Sequence, residues 1–500
     1  MIIKPKSLLT TLIGVIISLS PLSQAYTLEF TATAEQNVTH NQQYQHINGQ
    51  LTHMFFEDLQ FLTKLSMYND KKYSPAMDGD YYGDYYFYME QGGFELEKEN
   101  YGMRIGRLAP QPIIDSPYSL FISSEQHSTI TGSFYLEDEH FFFQSQWLQL
   151  NYNSTISTDD ESGLNEHGFS DGFPDRGANV RYYGLRFGDM RVGFEDASVY
   201  FDRSFDLEYL VNPLPAFFIQ YTNISSGKPW QHNENENALI GFFFDYNRPD
   251  YYIYSELLLD DVNVHMFFDD SYTNPNKIAW SLGGTYDFSF GEVAFHHAGA
   301  TKYLFEPRRN NQPYGYTYYP DTVYFLDDDT LMGISPEDNY IGYKYGENNL
   351  AFLLSYEPAF DLWAKMKGSL EFVLSGSKSP VNPFHQYSEY QQGGYYTKMF
   401  NDTPLEKSLS LSIDARKDFT ENLSMYTSIE LGYIWNKLKL TTVPQEYIDY
   451  YENEDPDYPK TDEDGLPYDL EYLRYYVPSS ETTPITNLTI GVQYSYDPFK

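Results

Sequence analysis

The chain has 500 residues, no cysteine and a formal net charge of -39. The lack of cysteine excludes disulfides and thiolate metal sites, and the negative charge argues against nucleic acid as a partner, because phosphate binding needs cations. Aromatic residues make up 18% of the chain, with 50 tyrosines, which is typical of transmembrane barrels that carry aromatic girdles at both membrane interfaces.

The first 25 residues have the pattern of a secretory signal peptide. Lys4 and Lys6 form a basic start, Leu8–Leu19 is apolar, and Ser23–Ala25 fits a cleavage site. A retained N-terminal anchor is the alternative. We therefore predict a signal peptide over residues 1–25 and one domain over residues 26–500. No later stretch reaches the roughly 20 apolar residues of a membrane helix, so a membrane role requires a closed barrel.

The N-terminal part of the mature chain predicts five strands from alternating apolar and polar residues. Leu28–Ala34 is the first of them. Two hairpins follow, one from Leu51–Phe56 and Phe61–Tyr68, the other from Tyr82–Lys98 and Tyr101–Arg107. The stretch His53–Leu65 has an alternative interpretation as a short helix that plugs a barrel.

The same alternation continues to the C-terminus as hairpins with short turns, separated by long loops. With the final strand the count is about eighteen, an even number, as single-chain bacterial barrels require, and the lumen is wider than side chains alone can fill. The predicted pairs are Ile130–Leu136 with Phe141–Asn151, Val180–Phe187 with Val192–Tyr200, Ala238–Asp245 with Tyr251–Phe267, Ala279–Tyr286 with Val293–Tyr303, Leu350–Tyr356 with Ala364–Leu374, and Leu409–Ala415 with Leu423–Trp435.

The last strand, Asn487–Tyr496, has one apolar and one polar face. The residues Thr489, Gly491, Tyr494 and Tyr496 resemble the C-terminal signal that the barrel-assembly machinery reads, although four more residues follow. We expect this strand to pair with Leu28–Ala34 and close the ring, with the barrel-assembly machinery as a partner.

The long loops contain most of the acidic residues and many tyrosines, and we expect them on the extracellular side. Tyrosine beside carboxylates and amides is typical of carbohydrate sites, because rings stack on sugars while polar groups bond to hydroxyls. A solvated loop and an interfacial girdle are the alternatives. The loops are Tyr152–Asn179, Asp202–Asn237, Leu304–Asn349, Gly376–Leu405 and Asn436–Thr486.

No motif predicts a metal or catalytic site. Asp462 and Asp464 resemble part of a calcium loop, but no spaced glutamate completes it. Looser calcium binding by the carboxylates of the acidic loops is an alternative to a solvated loop. His296 and His297 are neighbours on a predicted strand, so they face opposite sides, one into the lumen and one toward lipid. No catalytic signature is present. We therefore predict no enzyme activity, no cofactor and no catalytic, cofactor-binding or metal-binding residue.

A set of stretches in the middle of the chain carries a family resemblance: Met103–Arg107, Ser119–Ser123, Asn212–Leu214, Asn237–Gly241, Tyr254–Asp261, Met332–Gly333, Ile341–Asn349 and Leu350–Tyr356. Together they resemble the Wzi-type capsule-assembly family of outer-membrane barrels. The likeness is diffuse and spans roughly residues 102–356. The resemblance implies an eighteen-stranded barrel that acts as a surface lectin and holds capsular polysaccharide on the cell.

The sequence thus predicts an all-β transmembrane antiparallel barrel in the cell outer membrane. We expect its extracellular loops to bind or anchor surface polysaccharide, capsular or exopolysaccharide. Expected partners also include the lipid bilayer and lipopolysaccharide or another outer-leaflet lipid. The alternatives are a porin or nutrient-uptake channel and a soluble exported adhesin or enzyme.

Overall fold

A computed structural model describes residues 26–69, 85–125, 127–153, 174–225, 227, 229, 235–261, 276–305, 315–320, 323–325, 331–360, 363–378, 399–400, 402–442 and 474–498. The predicted signal peptide, Asp462 and Asp464, and most of the tyrosines of the last long loop lie outside these residues. Within the described part of the chain, no helix is long and apolar enough to cross a membrane.

Eighteen strands form one antiparallel sheet that closes on itself. The closing strand pairs with the first strand from Phe30–Tyr496 to Asn37–Thr489, which confirms the predicted closure of the ring. The barrel strands are β1 Tyr26–Asn37, β2 Gln42–Phe56, β3 Leu59–Tyr68, β4 Tyr86–Glu97, β5 Tyr101–Leu108, β6 Thr129–Glu137, β7 Phe141–Asn151, β8 Arg176–Phe187, β9 Met190–Phe201, β10 Glu236–Arg248, β11 Tyr251–Asp261, β12 Lys277–Phe288, β13 Gly291–Ala300, β16 Asn349–Pro358, β17 Lys365–Ser375, β18 Glu406–Asp418, β19 Leu423–Trp435 and β22 Thr482–Tyr496.

The remaining elements are short and belong to the connections. Two small hairpins pair β14 Val323–Phe325 with β15 Leu331–Gly333 and β20 Leu438–Thr442 with β21 Arg474–Pro478. The helices are α1 Leu207–Val211, α2 Ala216–Ser225 and α3 Pro336–Asn339.

Short turns lie at one end of the barrel and long connections at the other, which we call the long-loop end. The β8–β9 turn is one of the tightest, with two residues between the strands. Its first residue, Gly188, has a φ of +61°, a conformation that glycine adopts at little cost. At the β6–β7 turn, the Asp138 carboxylate accepts from the backbone N–H groups of His140 and Phe141. The exception is the short β1–β2 connection, which lies at the long-loop end.

The outer face of the wall is apolar. Among the described side chains, every barrel strand except β1 and β3 carries at least one large apolar side chain that is exposed. Near the short turns, Tyr286, Phe288, Phe290 and Tyr356 form a continuous row, with ring centroids 4.5, 5.0 and 6.1 Å apart. This belt with an aromatic edge is the outer surface that a membrane-spanning barrel requires.

Several sequence predictions need correction or qualification. The helical interpretation of His53–Leu65 is wrong, since these residues form the β2–β3 hairpin with His53 opposite Phe61. β13 ends at Ala300 rather than Tyr303 because the chain turns inward there. The described parts of Leu304–Asn349 are largely buried in the lumen, so they are not an outer loop. The ends of β4 and β11 predicted at Tyr82 and Phe267 lie outside the described residues.

Candidate functional site: the lumen and its long-loop mouth

Described parts of two connections from the long-loop end fold into the lumen. The first is residues 109–124 of the β5–β6 connection, and the second consists of the described residues within 301–348, in the β13–β16 connection. Apolar side chains of both are fully buried, including Ile114, Phe121, Phe305 and Ile341. We call them the first and second lumen segments.

The first lumen segment reaches far down the barrel. Its Ile113 carbonyl accepts a 3.0 Å hydrogen bond from Arg191, the second residue of β9 and therefore close to the short-turn end. Gln111 exchanges two hydrogen bonds with the Gln146 side chain, at 2.8 and 2.6 Å. Glu256 on β11 accepts from the Leu120 N–H at 2.8 Å. Polar wall side chains thus satisfy backbone groups that the lumen shields from water.

The two lumen segments bind each other through their backbones. The Tyr343 N–H donates to the Leu120 carbonyl at 3.0 Å, and the Ser123 N–H donates to the Ile341 carbonyl at 2.7 Å. Gly342 lies at this junction, where an added Cβ would stand 2.2 Å from the Leu120 carbonyl oxygen. Only glycine allows the two backbones to approach this closely.

The buried apolar cluster around these segments occupies one side of the lumen. Its wall residues come from β7–β13, β16 and β17, and we call this side the filled half. The wall residues are Phe142, Leu148, Ala178, Val180, Tyr182, Ala197, Val199, Leu239, Phe243, Tyr254, Leu258, Ala279, Ala298, Ala300, Ala351 and Val373.

The opposite side of the lumen is polar. Strands β18, β19, β22 and β1–β4 contribute no described residue to the apolar cluster, and we call this side the polar half. Asp414 and Arg416 are exposed although their positions alternate with the apolar outer face. The other inward side chains are mostly half-buried and include Ser408, Ser410, Ser412, Ser424, Ser428, Glu430, Asn487, Thr489, Gln493, Ser495, Thr31, Thr33, Glu35, His46, Asn48, Gln50, Lys64 and Ser66.

Tyr118, Lys344, Tyr345 and Glu371 lie where the filled half meets the polar half. The Tyr118 hydroxyl donates to Glu371 at 2.7 Å, and Lys344 lies 3.6 Å from the same carboxylate and 4.9 Å from the centre of the Tyr345 ring. Burial and the neighbouring Glu371 raise the pKa of Tyr118 well above its ordinary value, so its hydroxyl keeps its proton. Rings, a carboxylate and an ammonium therefore border the polar half.

A second aromatic group lines the long-loop mouth of the polar half. Tyr68 packs edge-on against His46 at 5.3 Å and stacks on Tyr86 at 5.7 Å. Glu90 accepts hydrogen bonds from Tyr68 and Ser66 and pairs with Lys64. These residues face inward because Ile47, Phe87 and Met89, one position along the strands, are 45–49% exposed on the outer face. We call Tyr44, His46, Tyr68, Tyr86, Tyr88 and Glu90 the mouth cluster.

The two adjacent histidines face opposite sides, as predicted. His296 is buried inside, where its Nδ1 lies 3.1 Å from the Tyr254 hydroxyl. His297 stacks on Phe352 at 4.5 Å on the outer face. Among the described residues, no three histidine or acidic side chains converge where they could hold a metal ion.

The predicted loop tyrosines and the mouth cluster are different residues. Tyr316 and Tyr318, expected on an extracellular loop, are buried in the filled half. Tyr68, Tyr86, Tyr88 and Glu90 of the mouth cluster lie on β3 and β4, which were predicted only as wall. Tyr44 and His46 lie in the first half of β2, which was not predicted as a strand. The sequence contains one signal that could have indicated this site, because Tyr86 and Tyr88 stand at alternate positions next to Glu90.

No protein-family model and no curated protein sequence matches the chain. Among solved structures, Wzi of Escherichia coli, a carbohydrate-binding outer-membrane barrel involved in group 1 capsule assembly, is 9% identical, with a TM-score of 0.48 over 96% of this chain and 87% of its own. OccAB2 of Acinetobacter baumannii is 10% identical, with a TM-score of 0.44 over 95% and 98%. OccK5 of Pseudomonas aeruginosa is 8% identical, with a TM-score of 0.43 over 95% and 98%.

Proposed function

We propose that the chain is an outer-membrane barrel that binds surface polysaccharide at its long-loop mouth. The apolar belt with its aromatic edge supports the membrane location, because lipid accepts only a closed barrel or helices as spanning structures. The proposal includes no catalytic step, no cofactor and no metal ion. Outer-leaflet lipid is the expected neighbour of the belt.

The mouth cluster is the observation that carries the glycan proposal. Its partly exposed rings can stack on the C–H faces of sugars, while Glu90 and His46 can bond to hydroxyl groups. Ser66, Tyr68 and Lys64 hold the Glu90 carboxylate in place, so the polar group is ordered before any ligand arrives. A ligand bound here sits at the extracellular opening, where capsular or exopolysaccharide chains lie.

Replacing Tyr68 or Tyr86 by alanine is expected to weaken polysaccharide binding about tenfold, as loss of one central aromatic contact does. The measurement is titration calorimetry of the detergent-folded barrel with surface polysaccharide purified from the producing cells. Tyr433→Ala is the matched control, because this tyrosine is 52% exposed on the outer face and stacks on Trp435. Equal affinities for the wild type and both mouth variants would disprove the proposed site.

A small-solute channel is the second candidate function, and the polar half of the lumen favours it. Its serine, threonine, asparagine and glutamine side chains resemble the wall of a water-filled pore rather than a packed interior. The channel candidate predicts stable ionic current in planar bilayers that does not depend on Tyr68 or Tyr86. A barrel without current would leave glycan binding as the sole candidate of the two.

A further inference from the structure

The outer wall carries a charged pair where an apolar surface is expected. Arg181 on β8 and Asp196 on β9 are directly paired across the strands, with two hydrogen bonds of 2.8 and 3.1 Å. Both point outward, because they lie an even number of positions from the exposed Leu185 and Val192. Their side chains are nonetheless only 0% and 1% exposed, so another part of the chain covers them.

The cover is the described part of the β9–β10 connection, residues 202–225, which contains α1 and α2. We call it the outer-wall segment. The sequence predicted an extracellular loop here, Asp202–Asn237, and that prediction needs correction, because these residues lie against the outside of β7–β10. Tyr209, Ala216 and Ile219 are buried against Tyr200 and Ala238 of the wall.

Wall side chains satisfy the irregular backbone of this segment. Arg181 donates to the Asn212 carbonyl at 2.8 Å, and Asp196 accepts from the Ala216 N–H at 2.8 Å. The Ser145 hydroxyl donates to the carbonyl of Leu210 at 2.7 Å. Backbone outside regular structure survives next to lipid only when protein groups replace water as its partners in this way.

Trp147 and Gly177 extend the same attachment toward the start of the segment. The Trp147 indole N–H donates to the Ser204 carbonyl at 2.7 Å. An added Cβ at Gly177 would lie 2.5 Å from that same carbonyl oxygen, so the glycine allows the close approach. The segment is therefore fixed to the wall at four places along its length.

Most of the exposed surface of the segment is apolar, although Asp202 and Glu208 are also exposed. Its side chains Phe205, Leu207, Val211, Leu214, Phe217, Phe218 and Tyr221 are 44–62% exposed. The charged groups Arg203, Asp206 and Glu236 form ion pairs at its long-loop side. The apolar surface continues the belt of the wall below it, where Val192 and Phe242 are exposed.

We propose that the outer-wall segment is immersed in the outer leaflet and that lipid acyl chains cover its Phe205–Tyr221 surface. The inference rests on the proposed membrane location of the barrel. Continuity with the belt favours acyl chains as the occupant, and the internal satisfaction of the backbone makes immersion possible. The segment thereby serves as a lipid-facing cover for a polar patch of the wall.

Single cysteines test this placement, because the natural chain contains none. Phe218→Cys is labelled with bimane and the folded barrel is placed in liposomes of lipid brominated on the acyl chains, with iodide as the aqueous quencher. Phe352→Cys on the belt is the lipid control. Lys439→Cys, whose lysine side chain is 57% exposed on β20, is the aqueous control.

We expect brominated lipid to quench bimane at position 218 as strongly as it quenches bimane at position 352. We expect iodide to quench bimane at position 218 no more strongly than at position 352. If bimane at position 218 is quenched in the same way as bimane at position 439, the inference is overturned while the membrane location of the barrel stands. If iodide quenches bimane at position 352, the membrane location itself is overturned. Disulfide dimers of Phe218→Cys would assign the surface to a second copy and also overturn it. Val211→Cys, on α1, repeats the test if Phe218→Cys does not fold.

Discussion

Asp196→Ala is expected to destabilise the folded barrel by about 3–5 kcal/mol, the cost of leaving a buried charge without its partner. The Arg181 guanidinium would remain between the wall and the outer-wall segment with the Asn212 carbonyl as its remaining described partner. The Ala216 N–H would also lose its acceptor. Urea unfolding of the protein in lipid vesicles measures the effect.

Two variants control this experiment. Asp418→Ala removes the partner of Arg416 in a pair whose side chains are 48% and 52% exposed, and such exposed pairs contribute about 0–1 kcal/mol. Replacing Arg181 and Asp196 together by leucine removes both charges and should recover most of the loss, because a paired apolar replacement leaves no unpaired ion. Equal stability of Asp196→Ala and Asp418→Ala would show that the Arg181–Asp196 pair is not shielded from water.

Removing residues 110–124 is expected to raise the single-channel conductance several-fold. The ends of this stretch are close, since Leu108 and Thr129 are paired across β5 and β6, so a short glycine-serine linker can join them. Loss of the first lumen segment would expose polar wall groups such as Arg191 and Glu256 to water. Ions would then pass through the filled half as well as through the polar half.

A milder variant distinguishes opening of the lumen from misfolding of the barrel. Gly342→Ala places a Cβ 2.2 Å from the Leu120 carbonyl oxygen, and overpacking of this kind typically costs about 1–3 kcal/mol. We expect lower stability and a larger, noisier current. Gly368→Ala is the control, because the nearest atom to its Cβ would be 4.0 Å away. Wild-type current in both the deletion and Gly342→Ala would contradict the placement of the lumen segments.

Strand alternation made most of the wall predictable. In β18 and β19, leucine and isoleucine alternate with serine, and the structure pairs Leu411 with Leu431 on the same outer face. The first half of β2 was missed because Gln42–Gln50 is polar at nearly every position, with Ile47 as the one large apolar side chain on its outer face. A strand that is polar on one face and only weakly apolar on the other shows too little hydrophobic alternation to be predicted from its sequence.

The lumen segments and the outer-wall segment were not predictable from periodicity. Leu120, Phe121 and Ile122 are consecutive, and their partners, such as Gly241 and Tyr343, lie more than a hundred residues away. Their burial depends on the closed barrel around them rather than on a local repeat. Asp196 did carry a signal, because a charge at an outward position of a strand predicts that something covers it.

Thiol labelling tests most directly that surface glycan binds at the long-loop mouth of the polar half. Three single cysteines are compared in outer-membrane vesicles treated with a membrane-impermeant maleimide: Ser408→Cys inside the polar half, Leu409→Cys on the outer face and Ala351→Cys in the filled half. Ser408→Cys alone should react readily, and purified surface polysaccharide should slow it. Equal reactivity at Ala351, or labelling of Ser408→Cys that polysaccharide leaves unchanged, would contradict the proposal.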